Sequence, residues 1–329
     1  MVWVLAALGA AMGFVLFIGY RAFRAAFARE SRLPLESLIS RGNPDEGAPW
    51  RGFESVIAAG EAWIYMQTRE DMWITSMDGL KLHATFLEAP GAKRTVICAH
   101  GYRGSAFRDF SAAAKDLYAR GCNLLLVDER AHGGSEGKYT TLGVRERFDL
   151  RGWARQMEMR LGRRHPVYLD GISMGGAAVL MALETALPAN VVGVISDAGY
   201  TSPRAALSHI VRRRMGLPLF PLLPLIALYC RLILHMKLDA CTTTEAVAHA
   251  RIPVLFAHGE QDAFVPVEMG KESYEACAGM KDMLVARGAG HGMSYIFHRD
   301  AYLEKLDALF ERAEGAKMLN RRHKVDSSL

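Results

Sequence analysis

From residue 95 onward the chain alternates short apolar runs with stretches of helical period, and this rhythm leaves very few architectures open. The runs TVICAH, NLLLVDE, PVYLDG, VVGVISD, PVLFAHG and MLVAR are rich in Val, Ile and Leu and too short for buried helices, so each predicts a buried strand. Amphipathic stretches lie between them near 107–119, 142–162, 174–186 and 267–277, with a last one near 299–312. Strands joined through helices run parallel, and a parallel sheet needs helices on both faces to bury it. The expected class is therefore α/β, with any site at the carboxyl ends of the strands. Upstream, residues 51–67 carry helical spacing, and MWITS and LKLHATFLE flank Met77-Asp78-Gly79, an Asp-Gly turn that predicts a hairpin.

Two segments break the rhythm. Val2 to Tyr20 is uncharged, and its 19 residues, at about 1.5 Å each, nearly cross a hydrocarbon core of roughly 30 Å. A membrane span is the direct reading. Ala26-Phe27-Ala28 imitates a signal-peptide cleavage site, but no Lys or Arg precedes the apolar run whereas Arg21, Arg24, Arg29 and Arg32 follow it, which inverts a signal peptide's flanks. The same asymmetry places the C-terminal side in the cytoplasm by the positive-inside tendency. The second break is residues 201–250, far longer than one crossover requires, and it predicts a helical insertion over the sheet's carboxyl edge. Asn43 to Pro49 reads as a linker.

Composition excludes several classes. With 329 residues and 50% apolar content the chain buries a large core, so disorder and a disulfide scaffold are poor readings. The net charge of +5 is scattered, without the basic runs and interleaved aromatics of nucleic-acid binding. Cys98, Cys122, Cys230, Cys241 and Cys277 are an odd number without CxxC spacing, which suits reduced core thiols. No histidine pair stands at metal-ligand spacing, and Gly133-Gly134 lacks the companions of a nucleotide loop, so neither metal nor cofactor is expected.

The chemistry concentrates in three loops. Gly171-Ile172-Ser173-Met174-Gly175 follows one strand directly and opens a helical run, the setting in which G-x-S-x-G forms a nucleophile elbow. A serine hydroxyl at its free pKa is a poor nucleophile and needs a base oriented by a third group. His291, after the last strand, is the expected base, and Asp262, after PVLFAHG, the expected acid; Asp197 at the end of VVGVISD is the runner-up and Glu260 a nearby competitor. The order Ser, Asp, His fits. An oxyanion needs two preorganised donors, for which the backbone N–H groups of Met174 and of Tyr102, in the loop HGYRG, are the candidates. His100, His132 and His258 are expected to hold backbone together.

Taken together, HGYRGS, DERAHGGSEG, GISMGG, SDAGYTSP, HGEQDAFVP and GAGHGMSY resemble the serine hydrolases of the α/β-hydrolase superfamily, and within it the bacterial membrane-anchored hydrolases related to S33-type serine aminopeptidases and Bem46-like proteins. The resemblance covers residues 70–312. It implies an eight-stranded, mostly parallel sheet, the triad Ser173, Asp262 and His291, and oxyanion donors at Tyr102 and Met174. The loop HGYRGS departs from the Bem46-like pattern. The expected organisation is an anchor at 1–20, a juxtamembrane segment and linker at 21–50, a hydrolase domain at 51–312 with a cap at 201–250, and a basic, disordered tail at 313–329. The expected substrate is a small-molecule or lipid-like acyl ester, because the cap is rich in Leu, Ile, Met and Pro and the anchor holds the site near lipid. Leu219 and Phe220 are expected to contact a long acyl chain. Peptide cleavage ranks second, since Pro203 to Lys237 contains no carboxylate to hold a substrate's amino terminus. A non-catalytic binding protein ranks last, against the three retained triad residues.

Overall fold

A computed structural model describes residues 1–29 and 52–326, with side chains through 315. The linker at Asn43–Pro49, Arg32, and the side chains of Lys317, Arg321, Arg322 and Lys324 lie outside the described residues. Among the described residues eight strands form one sheet: β1 Glu70–Thr75, β2 Lys81–Leu87, β3 Arg94–Ala99, β4 Cys122–Val127, β5 Val167–Ile172, β6 Val191–Asp197, β7 Val254–Gly259 and β8 Lys281–Ala286. Their spatial order is β1-β2-β4-β3-β5-β6-β7-β8. β1 pairs antiparallel with β2 and β2 with β4, and every later pairing is parallel. The hairpin turns where expected, with Gly79 at φ +86° and the Leu80 N–H donating to Ser76 Oγ at 2.8 Å. The six runs read as strands are strands, with one correction. β8 is half-exposed rather than buried, because it closes the sheet and has a neighbour on one side only.

Helices cover both faces. One face buries Trp153, Met157, Val179 and Leu180 from the helices Glu146–Leu161 and Met174–Ala182 against Ile97, Leu125, Leu169 and Phe256. The other buries Leu117, Leu303, Leu306 and Phe310 against Val96, Leu124 and Ile195. The chain steps from β3 to β4 on one side and then returns across β3 to lay down β5 on the other, so crossovers diverge between β3 and β5. That divergence opens a crevice at the carboxyl ends of these two strands. The last helix spans Arg299–Asp326, past residue 312, and Ala313 is buried while Glu314 pairs with Arg94 at 2.6 Å.

The N-terminal helix spans Val2–Phe27. Residues 2–15 are exposed along their length, as an apolar membrane span in water would be, but the last two turns are not. Phe23 and Phe27 are fully buried in a cluster with Leu142, Val144, Met174 and Tyr200. The insertion supplies the rest of that cluster through the helix Leu222–Ile233, whose Leu223, Ile226 and Cys230 face inward. Gly19 is necessary here, because a Cβ would sit 2.6 Å from the Cβ of Leu225. Within 201–250, the helix Thr243–Val247 packs against the body's Met174–Ala182 and Val267–Ala276 helices, so the part lying over the carboxyl edge is narrower than the insertion. Leu219 packs inward, whereas its neighbour Phe220 is 78% exposed. The local pattern could not separate them, since both are apolar neighbours in a Pro-rich stretch.

Candidate active site

Ser173 stands between β5 and the helix Met174–Ala182 at φ 58°, ψ −112°. This is costly backbone for a residue with a Cβ, and the surrounding packing holds it there. Close approach makes the neighbouring glycines obligatory: a Cβ on Gly171 would lie 2.2 Å from the Gly175 carbonyl oxygen, and one on Gly175 would lie 2.0 Å from that of Ala99. The turn thus lifts Ser173 Oγ out of the sheet, with the residue only 6% exposed.

The three residues from separate loops converge. His291 Nε2 lies 2.8 Å from Ser173 Oγ, and His291 Nδ1 lies 2.7 Å from Asp262 Oδ2. The other oxygen of Asp262 accepts the N–H groups of Phe264 at 2.9 Å and Val265 at 2.8 Å, so the carboxylate is aimed by its own loop. Burial pushes Asp262 up, but the charge of His291 and hydrogen bonds from His258 and His291 outweigh it and hold the carboxyl well below the usual range. For His291, burial disfavours the charged ring, while the charge and hydrogen bond of Asp262 favour it more strongly and raise its pKa. Asp197, the runner-up, points elsewhere. Its Oδ1 accepts from Ser294 Oγ at 2.7 Å, and burial pushes its pKa up to about 6. Glu260 instead accepts from the Gly288 N–H at 3.3 Å, at the surface.

The loop carrying Tyr102 abuts Ser173, since a Cβ on Gly101 would lie 3.3 Å from the Cβ of Ser173. Met174 begins its helix, where the first N–H groups have no intrahelical partner and the macrodipole favours negative charge. The histidines set aside as structural hold this region. His100 Nδ1 donates to the Gly101 carbonyl at 2.7 Å and Nε2 accepts the Glu129 N–H at 3.1 Å. His132 accepts the Arg103 N–H at 3.1 Å, and burial pushes its pKa down to about 4, consistent with a neutral acceptor. His258 Nε2 bonds the Val265 carbonyl at 2.9 Å and lies 3.4 Å from Asp262 Oδ2. The sequence reading missed Asp109, whose Oδ2 accepts the Gly101 N–H at 2.8 Å and steadies the same loop. It also missed the N-terminal helix here: the Ala25 carbonyl accepts from Tyr102 Oη and from the Arg103 guanidinium, each at 3.0 Å. No local signal marks either contact. Tyr102, Met215 and Phe264 pack against the buried Ile210 as an apolar wall beside the site, the Phe264 ring lying 5.0 Å from that of His291. Among the described residues, no group of His, Cys, Asp and Glu is arranged to hold a metal.

This arrangement resembles known hydrolases. The serine aminopeptidase S33 family profile matches residues 90–225. The uncharacterized protein YqkD of Bacillus subtilis is 28% identical over 182 residues, 55% of this chain and 60% of that one. The lysophosphatidylserine lipase ABHD12 of Danio rerio is 27% identical over 212 residues, 61% of this chain and 50% of that one. The chain thus spans between half and 60% of the length of these two relatives. Among solved structures, the Pyrococcus furiosus esterase Pf2001 superposes with a TM-score of 0.61 at 21% identity, covering 75% of this chain and 92% of that one. With its eight-stranded sheet and its serine elbow at the switch point, the chain has the α/β-hydrolase fold, and its residues 90–225 match the serine aminopeptidase S33 family profile.

Proposed function

We propose that this chain is a membrane-tethered serine hydrolase that cleaves acyl esters through an acyl-enzyme. The observation that carries the reading is the continuous line from Asp262 through His291 to Ser173, at 2.7 and 2.8 Å, ending on a strained elbow. Ser173 Oγ attacks the ester carbonyl carbon as its proton passes to His291 Nε2. The developing oxyanion takes the N–H groups of Tyr102 and Met174. His291 then protonates the leaving alcohol, and water, deprotonated by the same nitrogen, hydrolyses the acyl-serine. Asp262 keeps Nδ1 protonated, which leaves Nε2 as the acceptor. A fluorophosphonate is expected to label Ser173, and Ser173→Ala to abolish labelling and ester turnover with unchanged melting. Full activity in the purified variant refutes the assignment.

An apolar acyl chain suits the wall of Tyr102, Ile210, Met215 and Phe264, and a lipase among the relatives supports a lipid-like substrate. The family description favours a second reading, an aminopeptidase. Such an enzyme needs an acid for the substrate's ammonium, and the cap from Pro203 to Lys237 has none. Comparing turnover of acyl esters with that of aminoacyl amides separates the two; faster amide turnover favours the peptidase.

The N-terminal helix is read as a single-pass anchor with the catalytic domain on the cytoplasmic face. Arg21 and Arg24 are exposed just beyond the apolar run, and all five cysteines are unpaired and buried. A signal peptidase cutting after Ala28 would remove Phe23 and Phe27 from the core, which argues for retention. A C-terminal reporter fusion in a bacterial host tests the topology. Fluorescence without phosphatase activity is expected, and strong phosphatase activity overturns the orientation.

A further inference from the structure

The outer face of the cap is apolar where a soluble protein would be polar. Along the helix Leu222–Ile233 and the residue before it, Pro221, Pro224, Leu228 and Leu232 recur at helical spacing and all are exposed, while Leu223, Ile226 and Cys230 fill the inner face. A helix apolar on both sides needs a second apolar environment. At its N-terminal end the loop adds Phe220 at 78% exposure and Leu217 at 42%.

The direction of this helix tells what that environment is. Leu225 packs on Gly19, and one turn further on Tyr229 packs against Tyr20 and Phe23, with ring centroids 5.5 and 6.0 Å apart. At its far end the Leu234 carbonyl is held by Arg145 of the hydrolase body. With its last turn held at the body, as the last turns of Val2–Phe27 are, the cap helix runs in the same sense as the N-terminal helix, and its first residues point away from the body. Charge follows the same gradient. Nearer the body, a groove of about 250 Å³ beside Pro224 and Leu228 is lined by Arg204, Arg231 and Lys237, with Asp239 paired to Arg204 at 3.4 Å. Arg21 and Arg24 are exposed on the neighbouring helix.

We propose that the cap is a second membrane contact: Leu217 and Phe220 enter the acyl region of the bilayer beside the anchor, and the groove of Leu228, Arg204, Arg231 and Lys237 meets anionic phospholipid headgroups at its surface. The proposal rests on reading Val2–Phe27 as an anchor, because continuity with that helix selects a bilayer as the occupant. A bilayer supplies both parts of the match, hydrocarbon for the apolar tip and phosphate for the basic rim. Met215 of the apolar wall lies two residues before Leu217, so the proposal also sets that wall on the side of the molecule from which a membrane-borne ester would come.

The test uses the full chain in nanodiscs, with single cysteines introduced at Phe220, Leu228, Val4 and Met159 and labelled with an environment-sensitive fluorophore; the native cysteines are all buried. Val4 reports the anchor, and Met159, 74% exposed on the body, reports water. The label at Phe220 is expected to be quenched by acyl-chain nitroxide lipid as the Val4 label is, and that at Leu228 by headgroup nitroxide lipid, each with iodide quenching several-fold below that at Met159. If both behave like Met159 while Val4 is protected, the cap proposal falls and the anchor stands. If Val4 is itself open to iodide, the anchor reading falls and the proposal with it. Protection at Leu228 is also expected to increase several-fold when phosphatidylcholine nanodiscs are enriched in phosphatidylglycerol, an increase abolished by Arg231→Gln with Lys237→Gln. Equal protection in both lipids overturns the headgroup contact.

Discussion

Asp262→Asn is the substitution that most directly tests the logic of the site. Asparagine matches aspartate in shape, and its carbonyl oxygen can retain the bonds from the Phe264 and Val265 N–H groups at 2.9 and 2.8 Å. That choice turns the amide NH₂ toward His291 Nδ1, 2.7 Å away from the oxygen it replaces. The ring must then accept at Nδ1 and carry its proton on Nε2, the nitrogen 2.8 Å from Ser173 Oγ, so it can no longer take the serine's proton. The wrong tautomer in such triads lowers kcat by about 10⁴-fold, which at ~1.4 kcal/mol per decade amounts to roughly 5.5 kcal/mol of transition-state stabilisation. Asp197→Asn is the matched control, because Asp197 accepts from Ser294 rather than from His291 and an amide oxygen can do the same. We expect it to lose less than about tenfold, since its influence on His291 is through charge alone. Single-turnover hydrolysis of a chromogenic short-chain ester measures both variants, with circular dichroism as the folding check. If Asp197→Asn is the more damaging of the two in folded protein, the acid has been assigned wrongly.

The pH dependence follows from the same pair. His291 must be neutral to act as base and its pKa is raised by Asp262, so kcat/KM is expected to rise with pH through a midpoint above 6.5, shifted downward in residual Asp262→Asn activity; an unmoved midpoint contradicts the coupling. Asp197 has the opposite consequence for stability. A carboxyl raised from 3.8 to about 6 binds its proton more tightly when folded, so its contribution is full below pH 3.8 and is lost as pH rises through 6. The melting-temperature difference between wild type and Asp197→Asn should therefore drift in favour of the variant across that window, and a constant difference would refute it. Phe23→Ala removes a fully buried ring from the cluster joining helix, cap and elbow, and should cost about 3–5 kcal/mol in detergent-solubilised unfolding; a neutral result would mean that the helix end is not part of the core. Met215→Ser should reduce turnover of long-chain esters more than of acetate esters, by about 1–3 kcal/mol of discrimination. Equal losses would assign Met215 to folding.

Residues 95–312 were legible because their rules are local. Strand length, Val/Ile/Leu content and the spacing of intervening helices are readable within a dozen residues, and GISMG carries its own geometry, since the same glycines that mark the motif are those a Cβ would force apart. The order of Ser173, Asp262 and His291 followed from which loops leave the carboxyl edge. Choosing between Asp262 and Asp197 was different in kind. Asp197 ends β6 and Asp262 follows the neighbouring β7 in the next loop, and only the path of that loop brings Asp262 within 2.7 Å of His291 while Asp197 turns to Ser294. Asp109 carries no motif, and its grip on Gly101 exists because a helix returns over the loop. The N-terminal helix shows the limit most clearly. Apolar content marks Val2 to Tyr20 as long and apolar enough to cross a membrane, yet Phe23 and Phe27 obey the same hydropathy and end in the protein core, packed on a cap two hundred residues away. Hydrophobicity tells a side chain to leave water; whether lipid or protein receives it is decided by what the rest of the chain places alongside, and that is a property of the tertiary structure alone.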